Sequence, residues 1–219
     1  MAGLTVRAFL LLLGLLFVPL ASAYGGGVQS WTDVSLAVVE SARTSWTIFG
    51  VARLRNRLRD PYDQLAGTAL RTPLRSWLAV EGGYLFRHQD PDAAGFHDEH
   101  RLFVGPTLVL TRRVVTVRST TQYERHLVLT NRPDFNRYRE RIEVEELRQG
   151  ISPFVSTEVA FHRQGLFRSR SRAGVRWRFR PGCQLELAYQ FESLRSGTAW
   201  VPRHVLRTAI HFGRRVNGT

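Results

Sequence analysis

Between Phe167 and Arg180 the chain alternates residue by residue. The odd positions hold Phe167, Ser169, Ser171, Ala173, Val175, Trp177 and Phe179; the even positions hold Arg168, Arg170, Arg172, Gly174, Arg176, Arg178 and Arg180. Successive side chains of a β-strand point to opposite faces, so this segment has one small or apolar face and one made almost wholly of Arg. A helix of the same sequence would spread the Arg around its whole circumference. Other stretches alternate in the same way. Leu185, Leu187, Tyr189 and Phe191 interleave with Gln184, Glu186, Gln190 and Glu192, and Leu102, Val104, Leu108 and Leu110 run against Glu99, Arg101 and Thr107.

The pattern predicts strands over 31–40, 46–57, 63–71, 76–88, 98–111, 113–127, 136–148, 153–163, 167–180, 183–194 and 202–213. The 136–148 segment alternates least, with charges on both faces. Turn residues separate the segments, among them Asp90-Pro91-Asp92, Gln164-Gly165, Pro181-Gly182 and Ser196-Gly197. No repeat and no linker interrupts the series, which predicts one domain. Eleven segments are odd for an up-and-down antiparallel ring, and the expected count is about ten to twelve strands.

A soluble sandwich and a membrane barrel both alternate. Segments of ten to fourteen residues exceed the 5–6 or so of soluble strands and match the roughly 9–11 that cross a bilayer. Connections alternate between short (Thr111 to Arg113, Pro181-Gly182) and long (His88–Phe96, Thr130–Phe135), as in transmembrane barrels. The fold class expected is all-β: an antiparallel up-and-down transmembrane β-barrel that leaves no sheet edge exposed.

The N-terminus reads as an address. Arg7, an apolar run from Ala8 to Leu20 and Ala21-Ser22-Ala23 make a cleavable secretory signal over 1–23, leaving a single barrel domain over 24–219. The run falls short of the roughly 20 residues of a spanning helix. No Cys follows it to carry a lipid anchor. These features predict the outer membrane of a Gram-negative bacterium, its lipids as partners and assembly by the barrel-assembly machinery.

Composition narrows the reading. Aromatic residues are plentiful (13 Phe, 6 Tyr, 5 Trp), which excludes a disordered chain. The lone Cys183 excludes a disulfide framework and a Cys-based zinc module. Net charge is +13 and pI about 11.3; all 31 basic residues are Arg, each a planar bidentate donor. Export removes nucleic acid as the partner for that charge. Trp31, Trp46, Trp77, Trp177 and Trp200 are candidate anchors in an interfacial aromatic belt.

Facing restricts how hairpins pair. A three-residue loop Pro181-Gly182-Cys183 sets Arg180 against Gln184, Arg178 against Glu186 and Arg172 against Glu192. A loop Gln164-Gly165-Leu166 brings Glu158 opposite Arg172. A two-residue turn at Arg112-Arg113 brings Arg101 opposite Glu124 and Glu99 opposite His126. The expectation is an interior ladder of Glu99, Arg101, Arg118, Glu124, Glu158, Arg168, Arg170, Arg172, Glu186 and Glu192, with a Glu158–Arg172–Glu192 rung. Charges in a narrow lumen are tolerated when paired and hydrogen-bonded, and Arg forks onto carboxylates. Such a ladder stiffens the barrel. Its surplus of Arg also suits an anionic solute as occupant.

The same residues resemble a family. Trp31 opening a strand, Glu99-His100-Arg101, Arg118 through Tyr123-Glu124-Arg125, Arg137-Tyr138-Arg139, Glu158-Val159-Ala160-Phe161 and the Arg168–Arg172 strand are similar to the bacterial domain-of-unknown-function family 2490, over roughly Trp31 to Phe212. The family pattern has E-H/Q-R, an R-x-R-x-E-x-R-like stretch, and E-V-F followed by Q-N-R. Here Ala160 interrupts the E-V-F, and Arg168-Ser169-Arg170 stands in place of Q-N-R. The resemblance implies an outer-membrane barrel-like fold and brings no activity with it.

Enzyme motifs are sparse. The sequence holds no G-x-S-x-G, P-loop, G-x-G-x-x-G or H-E-x-x-H. His97-Asp98-Glu99-His100 has ligand-like composition, but a strand sends His97 and Glu99 to one face and His100 to the other. Ser156, Glu158 and His162 are the candidates for a Ser–His–acid set. The expected function is structural or transport-like, with an Arg/Glu-lined interior and neither cofactor nor metal. The alternatives are a soluble periplasmic barrel that binds an anionic ligand or lipid, and an outer-membrane lipid-modifying hydrolase.

Overall fold

In the computed structural model the described residues are 28–40, 44–55, 60–90, 97–129 and 133–213. The signal segment 1–23 lies outside them. They form eleven strands: β1 (Gln29–Glu40), β2 (Ser45–Arg55), β3 (Asp60–Arg75), β4 (Leu78–Gln89), β5 (His97–Arg112), β6 (Val115–Val128), β7 (Phe135–Glu146), β8 (Ile151–His162), β9 (Gly165–Arg180), β10 (Cys183–Ser196) and β11 (Ala199–Phe212). Lengths run from 11 to 16 residues. Neighbours in sequence pair antiparallel, and the sheet closes into a barrel.

The eleven segments read from the sequence are eleven strands, within the expected ten to twelve. With eleven strands the first and last point the same way, so only a parallel ladder can close the ring. Gln29–Leu36 of β1 runs in parallel register with Val205–Phe212 of β11. The seam is tied inside the lumen by the Arg207–Asp33 ion pair and by a 2.6 Å hydrogen bond between Ser35 Oγ and His211 Nδ1.

One end of the barrel carries the longer connections, up to the seven residues between β4 and β5; we call it the loop end. At the other, turn end, two-residue turns join β3 to β4, β5 to β6 and β9 to β10. Gly182 holds φ 75° in the last of these, a conformation open to glycine.

The turns change the pairings expected from the sequence. The β9–β10 turn has two residues, and a bulge follows it: Arg180 pairs with Cys183, but Arg178 pairs with Gln184. Phe179 is the extra residue. A second bulge in the β8–β9 hairpin passes over Phe167. A two-residue turn plus a bulge keeps the facing of the side chains beyond the bulge, as an odd loop does, yet moves the pairing by two. Glu192 and Glu158 therefore both oppose Arg170, not Arg172, and Glu186 opposes Arg176, not Arg178. The β5–β6 turn is Arg113-Val114, with Arg113 at φ 55°, so Arg101 opposes His126, Glu99 opposes Val128 and Glu124 opposes Phe103.

Polarity is inverted relative to a water-soluble barrel. Asp63, Glu124, His126 and Glu145 are almost fully enclosed, while Leu102, Leu110, Ile142 and Leu206 stand at least half exposed on the outside. Of the tryptophans, Trp46, Trp77, Trp177 and Trp200 lie on the outer surface, the first three towards the turn end. Trp31 does not join them: it is 3% exposed, inside the lumen. Its Nε1 donates to Tyr62 Oη at 3.2 Å, and the Arg53 guanidinium lies 4.0 Å from its ring centre.

Candidate functional site in the barrel lumen

The lumen is filled by two networks of Arg and carboxylate. At the turn end the hub is Arg176. Its fork binds both oxygens of Glu143 at 2.8 and 2.9 Å; it also donates to Glu145 at 2.8 Å and, through Nε, to Glu186 at 2.9 Å. Arg118 reaches Glu143 and Glu145 at 3.0 and 2.7 Å, and Arg178 reaches Glu145 at 2.7 Å. Arg172 joins Glu143 at 3.1 Å to Glu186 at 3.0 Å and donates to Ser156 Oγ. The ring of Phe154, 2% exposed, lies beneath the Arg176 guanidinium at 4.2 Å, a cation–π contact.

Towards the loop end Arg170 holds Glu158 at 3.3 Å and Glu192 at 3.1 Å, forming a rung across β8, β9 and β10. Arg168 holds Glu158 at 3.1 Å. Arg101 lies 2.8 Å from Glu99 on its own strand and 3.8 Å from Glu124. Glu124 is also bound by Arg137, and His126 lies between Glu124 and Glu99. Asp63, wholly enclosed, takes Arg53 and Arg87, each at 2.6 Å.

All ten ladder residues thus face the lumen, but Arg172 serves the turn-end network and Arg170 makes the Glu158–Glu192 rung. The lumen networks and their lining also include residues outside the expected ladder: Asp63, Arg53, Arg87, Arg137, Arg139, Arg141, Glu143, Glu145 and Arg176. The missed signal is on β7, where every odd position from Arg137 to Glu145 is charged.

Three arginines of the lumen, Arg71, Arg141 and Arg203, have no carboxylate within 4 Å among the described residues. Four adjoining cavities run along the axis, of about 470 Å³ at the loop end, 360 and 140 Å³ at mid-height and 390 Å³ at the turn end. They share walls: Arg53 borders the loop-end and both central cavities, and Arg141 borders the central and turn-end ones. Together they are lined by 15 Arg and 10 carboxylates, an excess of five fixed positive charges.

The candidate catalytic set does not assemble. Ser156 and His162 are six residues apart on one strand, about 20 Å at strand rise. The Glu158 carboxylate is taken by Arg168 and Arg170, and the His162 ring stacks on Phe167. His97-Asp98-Glu99-His100 is divided between the faces. Asp98 pairs outside with His88 at 2.7 Å, His100 meets Tyr84, and His97 bonds Gln89 inside. No three metal-ligating side chains converge among the described residues.

A closed ring of long strands, charged within and apolar without, defines the class: the outer-membrane β-barrel fold. The family follows from the sequence. The family described as "Protein of unknown function (DUF2490)" matches residues 28–201, and the chain belongs to it. No curated protein matches the chain by sequence. Among solved structures, LpxR from Salmonella typhimurium is similar with a TM-score of 0.55 at 10% identity, over 82% of this chain and 87% of that one. OmpT of Vibrio cholerae is similar at 0.41 and 11% identity, over 74% of this chain and 61% of its own. OccAB4 of Acinetobacter baumannii stands at 0.34 and 8%, over 74% and 72%. At such identity the likeness to LpxR speaks for the fold alone.

Proposed function

We propose that this protein resides in the outer membrane and that its basic lumen admits and passes small anions. The observation that carries the reading is the excess of five Arg over carboxylates along four adjoining cavities that reach from one end to the other. Fixed cations in a narrow, low-dielectric passage raise the local concentration of anions and repel cations. The apolar outer surface, with Trp46, Trp77 and Trp177 towards one rim and Trp200 at the other, supports residence in a bilayer over release into the periplasm. Residues 1–23, read as an export signal, support the route. Lipid hydrolysis finds no support in the separated Ser156 and His162.

The test is reconstitution of the folded chain in planar bilayers with a tenfold KCl gradient. The expected result is a reversal potential of the sign that chloride preference gives. A cation preference, or a bilayer that stays silent with folded protein inserted, counts against the conduit.

A further inference from the structure

The loop-end cavity differs from the other three. Its outer lining, within two residues of strand ends, is apolar along β6 to β10, with Val128, Pro133, Phe135, Phe167 and Leu194, and polar across β4 and β5, with Gln89 and His97. One layer further in, two residues along the same strands, come Arg137 and Glu192, and beside them Arg53, Arg168, Arg170 and Arg203. An apolar arc, the collar of this cavity, thus stands on the β6–β10 side over a charged floor. In all, six Arg and three carboxylates line this cavity. The turn-end cavity has no such collar: its lining is almost entirely Arg, Glu and uncharged polar residues.

The floor contains enclosed polar atoms with no hydrogen-bond partner. Arg53 Nε and Arg168 Nε are unused donors, and Glu192 Oε2 is an unused acceptor. Arg168 Nε lies 3.9 Å from Glu192 Oε1, beyond hydrogen-bond reach. The Arg168 side chain is 9% exposed and that of Glu192 4%, so these atoms are held inside the barrel. Buried polar groups left unpaired are costly, and a set of them around one cavity marks a place where a ligand completes the bonding. Arg203 adds a guanidinium with no carboxylate within 4 Å among the described residues.

We propose that this cavity binds a phosphate monoester of an apolar or aromatic alcohol, with the phosphate inward on the arginines and the apolar group in the collar. The anionic oxygens accept from Arg53, Arg168 and Arg203, whose planar forks suit phosphate. Below its second pKa of about 6 the ester is a monoanion that keeps one P–OH, which donates to Glu192 Oε2. A sulfate ester has no such proton, and inorganic phosphate has nothing to place against Phe135, Phe167 and Leu194. This inference rests on the reading of the lumen as an anion-admitting passage and names the organic anion that its loop end selects. A soluble phosphate ester and the phosphate headgroup of a membrane lipid share this chemistry.

Calorimetric titration of the folded protein at about pH 5, where the ester is a monoanion, in an uncharged detergent tests it with three probes: phenyl phosphate, phenyl sulfate and inorganic phosphate. The expected result is phenyl phosphate bound at least tenfold more tightly than either of the others. Arg203→Gln should weaken phenyl phosphate about tenfold, and Phe135→Ala should reduce its advantage over inorganic phosphate. Both variants must retain the compact form in cold SDS. Equal affinity for the three probes, or a folded Arg203→Gln that binds as the parent does, overturns the proposal. Repeating the titration in nanodiscs with and without phosphatidic acid separates the sources. Competition by that lipid assigns the headgroup, and its lack assigns a free ester; a free ester then gains the same tenfold preference in both. Preference for phenyl phosphate in a barrel without anion selectivity keeps the site and discards the conduit. An anion-selective barrel without the preference discards the site alone.

Discussion

At mid-height across β2–β5, the inner wall carries Phe49, Leu65, Leu85 and Phe103, packed over glycines. Across β6–β10, the same depth of lumen is filled by arginines and carboxylates. The two walls line one narrow lumen with opposite chemistry. On the apolar wall the fit depends on missing atoms. A Cβ at Gly83 would lie 2.5 Å from the Phe103 ring and 2.3 Å from the Thr68 carbonyl oxygen, and one at Gly67 would lie 2.7 Å from the Phe49 ring. On the ionic wall it depends on reciprocity, since Arg176 alone serves Glu143, Glu145 and Glu186. The apolar wall should therefore fail by steric exclusion, and the ionic wall by charge left unpaired.

The largest effect expected is at the apolar wall. Gly83→Val places branched carbons against a backbone oxygen that the β3–β4 ladder holds in place. We expect it to abolish the compact, heat-modifiable species in cold SDS, whereas Gly50→Ala, whose added carbon meets nothing nearer than 3.7 Å, should fold. Normal folding of Gly83→Val would show that the wall repacks freely and that steric exclusion does not govern it.

Next comes the hub of the ionic wall. Arg176→Met leaves three enclosed carboxylates short of a partner, a change that costs about 3–5 kcal/mol when a buried pair is broken from one side. The temperature at which the compact species is lost should fall sharply. Adding Glu143→Gln and Glu186→Gln should recover most of that fall, because unpaired charge, more than lost contact, is the cause. If the triple variant is no more stable than Arg176→Met, the loss comes from packing on Phe154 instead.

The two walls were unequally legible in the sequence. The Arg face of β9 is plain, because Arg168 to Arg180 keep strict alternation, and facing assigned Glu158, Glu186 and Glu192 to the same side. Partnership was not legible. Phe167 and Phe179 are bulge residues, and a bulge beside a two-residue turn has the parity of a three-residue loop, so no facing argument separates them. On β7 the charged odd positions from Arg137 to Glu145 were hidden by Glu140 and Glu146 on the outer face. Glu140 is held there by the Thr121 hydroxyl, 2.7 and 2.9 Å from its two oxygens. The collar left a trace that could have been followed: Phe135 precedes Arg137 by two and Leu194 follows Glu192 by two, apolar residues on the charged parity. The parallel seam left none, since closure between β1 and β11 is a property of the ring and not of either strand.

The smallest structural effect, and the sharpest functional one, is expected between the walls. Arg71 on β3 and Arg141 on β7 both border a central cavity and the turn-end cavity, and neither has a carboxylate within 4 Å among the described residues. Removing such a charge leaves no acid unpaired. Arg71→Gln combined with Arg141→Gln should therefore shift the heat-modification temperature far less than Arg176→Met, by the equivalent of about 1 kcal/mol or less. The fixed charge of the passage nevertheless falls by two of its excess of five. In the bilayer gradient the reversal potential should move towards zero, because anion preference follows the field of uncompensated cations and not the total number of Arg. Arg118→Gln, which removes a cation already bound to Glu143 and Glu145, should lower stability more and, by freeing acid, also shift selectivity. Only the Arg71/Arg141 pair separates the two readouts. A large loss of stability from that pair would mean that both guanidiniums have structural partners, and the passage would then have to be read as a charge-neutral packing of the barrel.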